Sequence, residues 1–264
     1  LIMQKYRNLN ENEITIEVCA ISVESAIVAQ EAGAKRIEFC DNIIEGGTTP
    51  SAGSIVLARK NLEIDLCILI RPRGGDFLYN EIEFETMKED ILMAKKLKAD
   101  GVVIGVLNKN GFVDMKRTDE LIKLAKPMEV VFHRAFDMCA EPFEALDQLI
   151  ELKIDRLLTS GQKQTALEGA DLIKKLISKA NDKIEIMPGS GIKLNNFTEL
   201  MEKTKAQSFH LTGSKKTESQ MYFRNNNVLL SSTDKIKDYE KLITDIEIIK
   251  KIVSISKSQN YDFK

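Results

Sequence analysis

The stretch ITIEVCAISVESAIVAQEAGAKRIEFC, residues 14–40, holds two short apolar runs with a helical pattern between them. In the first run, Ile14–Cys19, alternation puts Ile14, Ile16 and Val18 on one face and Thr15, Glu17 and Cys19 on the other. The second run, Arg36–Cys40, repeats the arrangement, with Ile37 and Phe39 opposed to Arg36, Glu38 and Cys40. Between the runs, Ser22 is placed to cap a helix and Gly33 to end it. Strand, helix and strand in this order predict parallel pairing. If the apolar sets pack on helices, the polar sets face the interior of a sheet that closes on itself. Two Glu-x-Cys units then stand on neighbouring strands about 4.8 Å apart, with Cys19 near Cys40.

The same rhythm recurs along the chain. Further runs are Ile64–Arg71, Val102–Val106, Glu129–Arg134, Arg156–Ser160, Ile184–Gly189 and Ser208–Gly213, most ending in ionisable or small polar residues. Strand eight repeats the facing pattern, with Ser208, His210 and Thr212 inward. With 264 residues, the expected fold is α/β, a (β/α)8 TIM barrel forming a single domain over residues 1–264. Residues 1–13 read as an N-terminal extension and 257–264 as a frayed tail. Helices are expected from near Glu83, over Met115–Ala125, from Pro142 as a first helical residue, over Thr165–Ala180, and after Gly191. A polar segment, Lys215–Asp234, precedes a final helix over Lys237–Ser256. In such a barrel, functional groups gather at the C-terminal ends of the strands.

Composition narrows the function classes. The chain is 43% hydrophobic and 30% charged with a formal net charge of −2, which offers no basic face for nucleic acid. The apolar runs are far short of the roughly 20 residues a membrane span needs. The opening Leu1–Glu13, polar after Met3, does not read as a signal peptide. A cytoplasmic location is therefore expected. Four cysteines, Cys19, Cys40, Cys67 and Cys139, contain no CxxC pair, and free thiols are expected.

The strand ends carry several chemistries. Facing thiolates at Cys19 and Cys40 suit a soft d10 ion such as Cu(I); equally they read as small buried apolar residues, with a disulfide as a third option. Arg71-Pro-Arg73-Gly-Gly-Asp76 offers two guanidiniums to a carboxylate or phosphate, or forms an ion-pair loop with Asp76 or Glu38. His133-Arg134-Ala-Phe-Asp137 supplies an acid/base group, a third arginine and a carboxylate to orient either. Gly189-Ser-Gly191 and Thr212-Gly213-Ser214 resemble the backbone phosphate grip of many barrels or are ordinary turns. Ser160 adds a hydroxyl donor. The loop Glu45-Gly-Gly-Thr-Thr-Pro-Ser51 is either a mobile lid or a supporting turn.

Taken together, Ile16–Cys19, Arg36–Cys40, Glu45–Ser51, Ile70-Arg-Pro-Arg-Gly-Gly-Asp-Phe77, Phe132-His-Arg-Ala-Phe-Asp-Met138, Leu158-Thr-Ser-Gly161, Met187-Pro-Gly-Ser-Gly191 and Phe223-Arg-Asn225 resemble the CutC copper homeostasis proteins. The resemblance extends over about Ile14 to Leu230. It implies a cytoplasmic (β/α)8 barrel, often a homodimer, linked to copper tolerance. It also implies Cu(I) binding, with Cys19 and Cys40 at the positions discussed for copper. Cys139 carries no implied role.

Two functions follow as expectations. The first is a copper homeostasis protein with Cys19 and Cys40 as metal ligands, Glu17 or Glu38 nearby, and Cu(I) as the bound ion. Three arginines near a cation site count against it, because like charge disfavours a bound cation. The second is an enzyme acting on a small anionic or phosphorylated metabolite. There Arg71, Arg73, Arg134, Ser160, Gly189, Gly191 and Gly213 would bind the anion, and Glu38, His133 and Asp137 would be catalytic. No strand-end lysine is placed for a Schiff base, which disfavours that aldolase class.

Overall fold

A computed structural model describes residues 13–225, 227–230 and 236–258. Eight parallel strands follow one another around a barrel: β1 Thr15–Ala20, β2 Arg36–Phe39, β3 Asp65–Leu69, β4 Gly101–Ile104, β5 Glu129–Phe132, β6 Arg156–Thr159, β7 Glu185–Pro188 and β8 Ser208–Leu211. The ladder runs β7-β6-β5-β4-β3-β2-β1-β8. The seam between β7 and β8 is reduced to one bridge, Gly189 to His210. The facing interior rows climb by two residues at Asp65 to Cys67, two at Glu129 to Val131 and four at Glu185 to Gly189. That total stagger of eight is the shear of a (β/α)8 barrel.

The helices are α1 Val23–Glu31, α2 Ala52–Asn61, α3 Glu81–Lys96, α4 Met115–Ala125, α5 Pro142–Glu151, α6 Ala170–Ala180, α7 Phe197–Thr204 and α8 Ile246–Ser258. Ser22 caps α1 by accepting from the Ser25 N–H. Asn80 and Glu83 form a reciprocal capping box on α3, so the helix opens two residues before the expected Glu83. Among the described residues, no helix is long and apolar enough to cross a membrane.

Two expectations are corrected. Helix α6 starts at Ala170 rather than Thr165, because residues 161–169 fold into a tight turn that brings the backbones of Gly161 and Gly169 together. Helix α7 follows Gly191 as expected, starting at Phe197. The single closing helix gives way to a strand and a shorter helix. Here β9 Ser214–Glu218 pairs antiparallel with β10 Glu240–Thr244, and α8 begins only after Asp245, whose carboxylate accepts the Glu247 N–H. Residues 1–12 of the 1–13 extension, residues 226 and 231–234 of the polar segment, Lys235, and residues 259–264 of the 257–264 tail lie outside the described residues, while Lys257 and Ser258 continue α8.

Alternation divides the core in two. Ile16, Val18, Ile37, Phe39, Ile68 and Phe209 pack outward against the helices. A separate inner cluster of Cys19, Cys40, Cys67, Leu69, Val103, Val131, Leu158 and Met187 fills the barrel. Beneath the upper part of this plug lies a charged layer. Arg36 Nε bonds Glu17 at 2.6 Å, and Arg156 bonds Glu129 at 2.9 Å and lies 3.3 Å from Glu185. Below the middle the barrel is therefore closed, and the open space lies at the C-terminal mouth.

Candidate metal centre and ligand cavity

Strand pairing builds the first group of side chains. Register sets Cys19 beside Glu38 across β1 and β2, and Glu17 beside His210 across β1 and β8. The Cys40 N–H donates to the Ala20 carbonyl at 3.1 Å, just beyond the β2 ladder. The two sulfurs, Cys19 Sγ and Cys40 Sγ, then lie 3.5 Å apart as free thiols. Donor atoms of Cys19, Glu38 and His210 all fall within 4.8 Å of one another. All four side chains are buried.

Charge in this group is arranged by depth. Burial alone would raise Glu17, but Arg36, His210 and Arg156 hold its carboxyl far below the ordinary range. Glu38 has no such arginine, so burial pushes it up to about 7 despite the opposing pull of His210. Burial disfavours a charged His210, yet Glu38 and Glu17 raise its pKa above the ordinary value. His210 Nδ1 is 2.7 Å from Glu17 Oε1 and 3.6 Å from Glu38 Oε2. Glu38 Oε2 is buried and has no hydrogen-bond partner among the described residues. The Cys40 contact, and burial after it, raise Cys19 well above the ordinary thiol range.

The loop after β2 is a supporting turn. Asp41 and Thr48 form a bridge, and Arg71 donates from Nη1 to the carbonyls of Glu45 and Gly47 at 2.8 and 2.6 Å. Gly47 has φ +91°, and a Cβ there would meet Leu69 Cδ2 at 2.7 Å and the Cys40 Cβ at 3.5 Å. Only glycine lets this loop close over the thiol pair.

Above the thiols opens a cavity of about 910 Å³. Its lining includes Cys19, Glu38, Arg71, Phe77, His133, Arg134, Asp137, Gly191, His210 and Gly213, but not Cys40, Arg73, Ser160 or Gly189. Arg73 bonds Glu83 and Asp76 instead, the ion-pair alternative for that loop. Arg134 bonds Asp137 at 2.8 Å and the Ser160 hydroxyl at 2.9 Å. Asp137 also accepts from the Thr159 hydroxyl and the Ser160 and Gln162 N–H groups, which ties the β5 and β6 loops together. His210 joins this candidate group, although the sequence reading gave it an inward face and no role; Glu17, expected near the copper site, holds its ring. Their inward alternation, at the barrel's closing seam, was the available signal.

Residues 14–215 match the family model described as the CutC family. The chain belongs to the CutC family. A CutC family protein of Parabacteroides distasonis is 46% identical over 236 residues, covering 89% of this chain and 97% of the relative. The human copper homeostasis protein cutC homolog is 42% identical over 247 residues, covering 94% and 90%. A solved CutC structure from Streptococcus agalactiae has TM-score 0.72 at 36% identity, covering 75% of this chain and 98% of that one. Phosphoribosyl anthranilate isomerase from Thermotoga maritima shares only the fold, with TM-score 0.55 at 13% identity over 93% of this chain and 100% of that one.

Proposed function

We propose that this CutC protein binds Cu(I) through Cys19 and Cys40, with His210 and Glu38 completing the site. The carrying observation is the 3.5 Å separation of the two thiols with an imidazole and a carboxylate beside them. The donor set is soft at its centre, as a d10 ion prefers. Metal–thiolate bonds of about 2.3 Å would hold two linearly opposed sulfurs about 4.6 Å apart. The observed spacing therefore favours a bent pair with further donors. Of the three arginines that counted against a cation, Arg73 and Arg134 are paired with carboxylates. Because the Cys19 thiol is held protonated, binding must release protons and tighten as pH rises. His210→Ala should weaken Cu(I) binding by about ten- to a hundredfold, the effect typical of groups that fix a metal site. Affinity unchanged in that variant would exclude His210 from the site.

A second reading has its own observation: a cavity of about 910 Å³ is a small-molecule volume, far beyond the needs of an ion. In this reading the cavity takes a small anionic metabolite, with Glu38 as the group that moves a proton. A cytoplasmic location accords with free thiols at all four cysteines. The homodimer implied by the family is tested by light scattering, where a monomer mass would exclude it.

A further inference from the structure

Two groups on one wall of the cavity each keep a buried N–H with no hydrogen-bond partner among the described residues, Arg71 Nε and His133 Nε2. Arg71 is a buried guanidinium with no carboxylate at ion-pair distance among the described residues. It donates only to the carbonyls of Glu45, Gly47 and Gly75, and its Nε, beside the Tyr79 hydroxyl, forms no hydrogen bond of proper geometry. A buried cation without a counter-charge is costly. The second donor is His133. Its Nδ1 accepts the Ala135 N–H at 3.0 Å, so the ring proton sits on Nε2, which is buried and unpartnered. Burial and the Arg71 charge hold the imidazole neutral, with a pKa lowered to about 3.

The two groups converge on one aromatic ring. Arg71 Cζ is 5.2 Å from the Phe77 centroid, and the His133 ring is 5.0 Å from it. His133 reaches this position only because residue 105 is glycine: a Cβ there would meet its Cε1 at 2.3 Å. Such a wall offers the unpartnered His133 N–H and the Arg71 charge, the Arg71 Nη groups being taken by backbone carbonyls.

We infer that this wall is a subsite for the carboxylate of a small organic acid, one oxygen taking the His133 Nε2 proton and the other facing the Arg71 guanidinium. This rests on the small-molecule reading of the cavity and narrows its substrate class. It also recasts His133, expected as an acid/base group, as a neutral donor. A carboxylate brings one negative charge to the one positive charge of this wall, whereas a phosphate would bring up to about two.

The test uses the full chain labelled with 15N-histidine, which carries two imidazoles, His133 and His210. Sodium formate and sodium acetate are titrated against sodium phosphate and sodium chloride at equal ionic strength. The expected result is a saturable shift of the His133 Nε2–H signal with the carboxylates and not with chloride. His133→Phe, which keeps a ring against Phe77 but removes that signal, should bind the carboxylates at least tenfold more weakly by isothermal titration calorimetry. Carboxylate binding unchanged in a folded His133→Phe variant overturns the inference. So does phosphate saturation without carboxylate saturation, although the small-anion reading then survives. If no anion saturates the wild-type signal, both fall. Should His133→Phe not fold, the wild-type His133 shift decides alone.

Discussion

Glu17 Oε1 lies 2.7 Å from His210 Nδ1, joining the first strand of the barrel to the last and aligning the imidazole toward Cys19 and Glu38. The same carboxylate takes the Arg36 Nε at 2.6 Å through its other oxygen. One buried group thus orients a candidate metal ligand and neutralises the charged layer beneath it.

Glu17→Ala should therefore destabilise the fold by about 3–5 kcal/mol, because it leaves Arg36 buried without its nearest counter-charge. Urea unfolding with an unchanged slope measures this. A loss below about 1 kcal/mol would mean that Glu185, 3.4 Å from Arg36, takes over the pairing.

Five donor groups on Arg134, Thr159, Ser160 and Gln162 hydrogen-bond the Asp137 carboxylate. Asp137→Ala should cost about 1–3 kcal/mol for each donor left buried without an acceptor, moderated by water reaching the exposed Arg134. Hydrogen exchange should quicken at the amides of Ser160 and Gln162. Unchanged protection there would show that the β6 loop is held by other bonds.

Three buried groups set how stability varies with pH. His133 has a folded pKa of about 3 against ~6.5 unfolded, so the unfolded chain takes up a proton first and stability is lost as pH falls through that window. Glu38, raised to about 7 against ~4.3 unfolded, works the other way: its folded form holds the proton, and stability is gained as pH falls. Glu17, held far below its ordinary range, contributes stability that is lost only below ~4.3. Between about pH 4.5 and 6.5 the first two effects oppose, and the wild-type curve should be shallow. Removing His133 leaves Glu38 unopposed, so a His133→Phe variant should gain up to about 1.4 kcal/mol per pH unit on acidification relative to wild type. Parallel thermal melts of the two proteins across this range would refute a neutral, buried His133.

Much of the fold was legible because strand alternation and helix signals agreed. The Glu-x-Cys pairs on β1 and β2 could be placed side by side from period two alone, and Ser22, Met115 and Pro142 marked helix starts where they occur. Long-range pairing was less legible. The β9–β10 hairpin joins segments more than twenty residues apart across a polar stretch, and no local period announces it. Arg73 looked available in isolation, yet Asn80 and Glu83 form a capping box whose acidic member also takes the guanidinium. His210 was assigned an inward face, but its place at the centre depends on the closing seam bringing β8 against β1. Whether Arg71 would be paired or left facing the cavity was set by the carbonyls of the Glu45–Gly47 turn, which residue types alone do not specify.

The most direct test of the copper assignment is an anaerobic Cu(I) titration against a chromophoric competitor, comparing wild type with the Cys19→Ser, Cys40→Ser double variant. The account predicts one tightly bound Cu(I) per chain, lost in the variant while its circular dichroism stays unchanged. Tight binding that persists without the two thiols, or only weak binding in the wild type, would contradict a Cu(I) centre between β1 and β2.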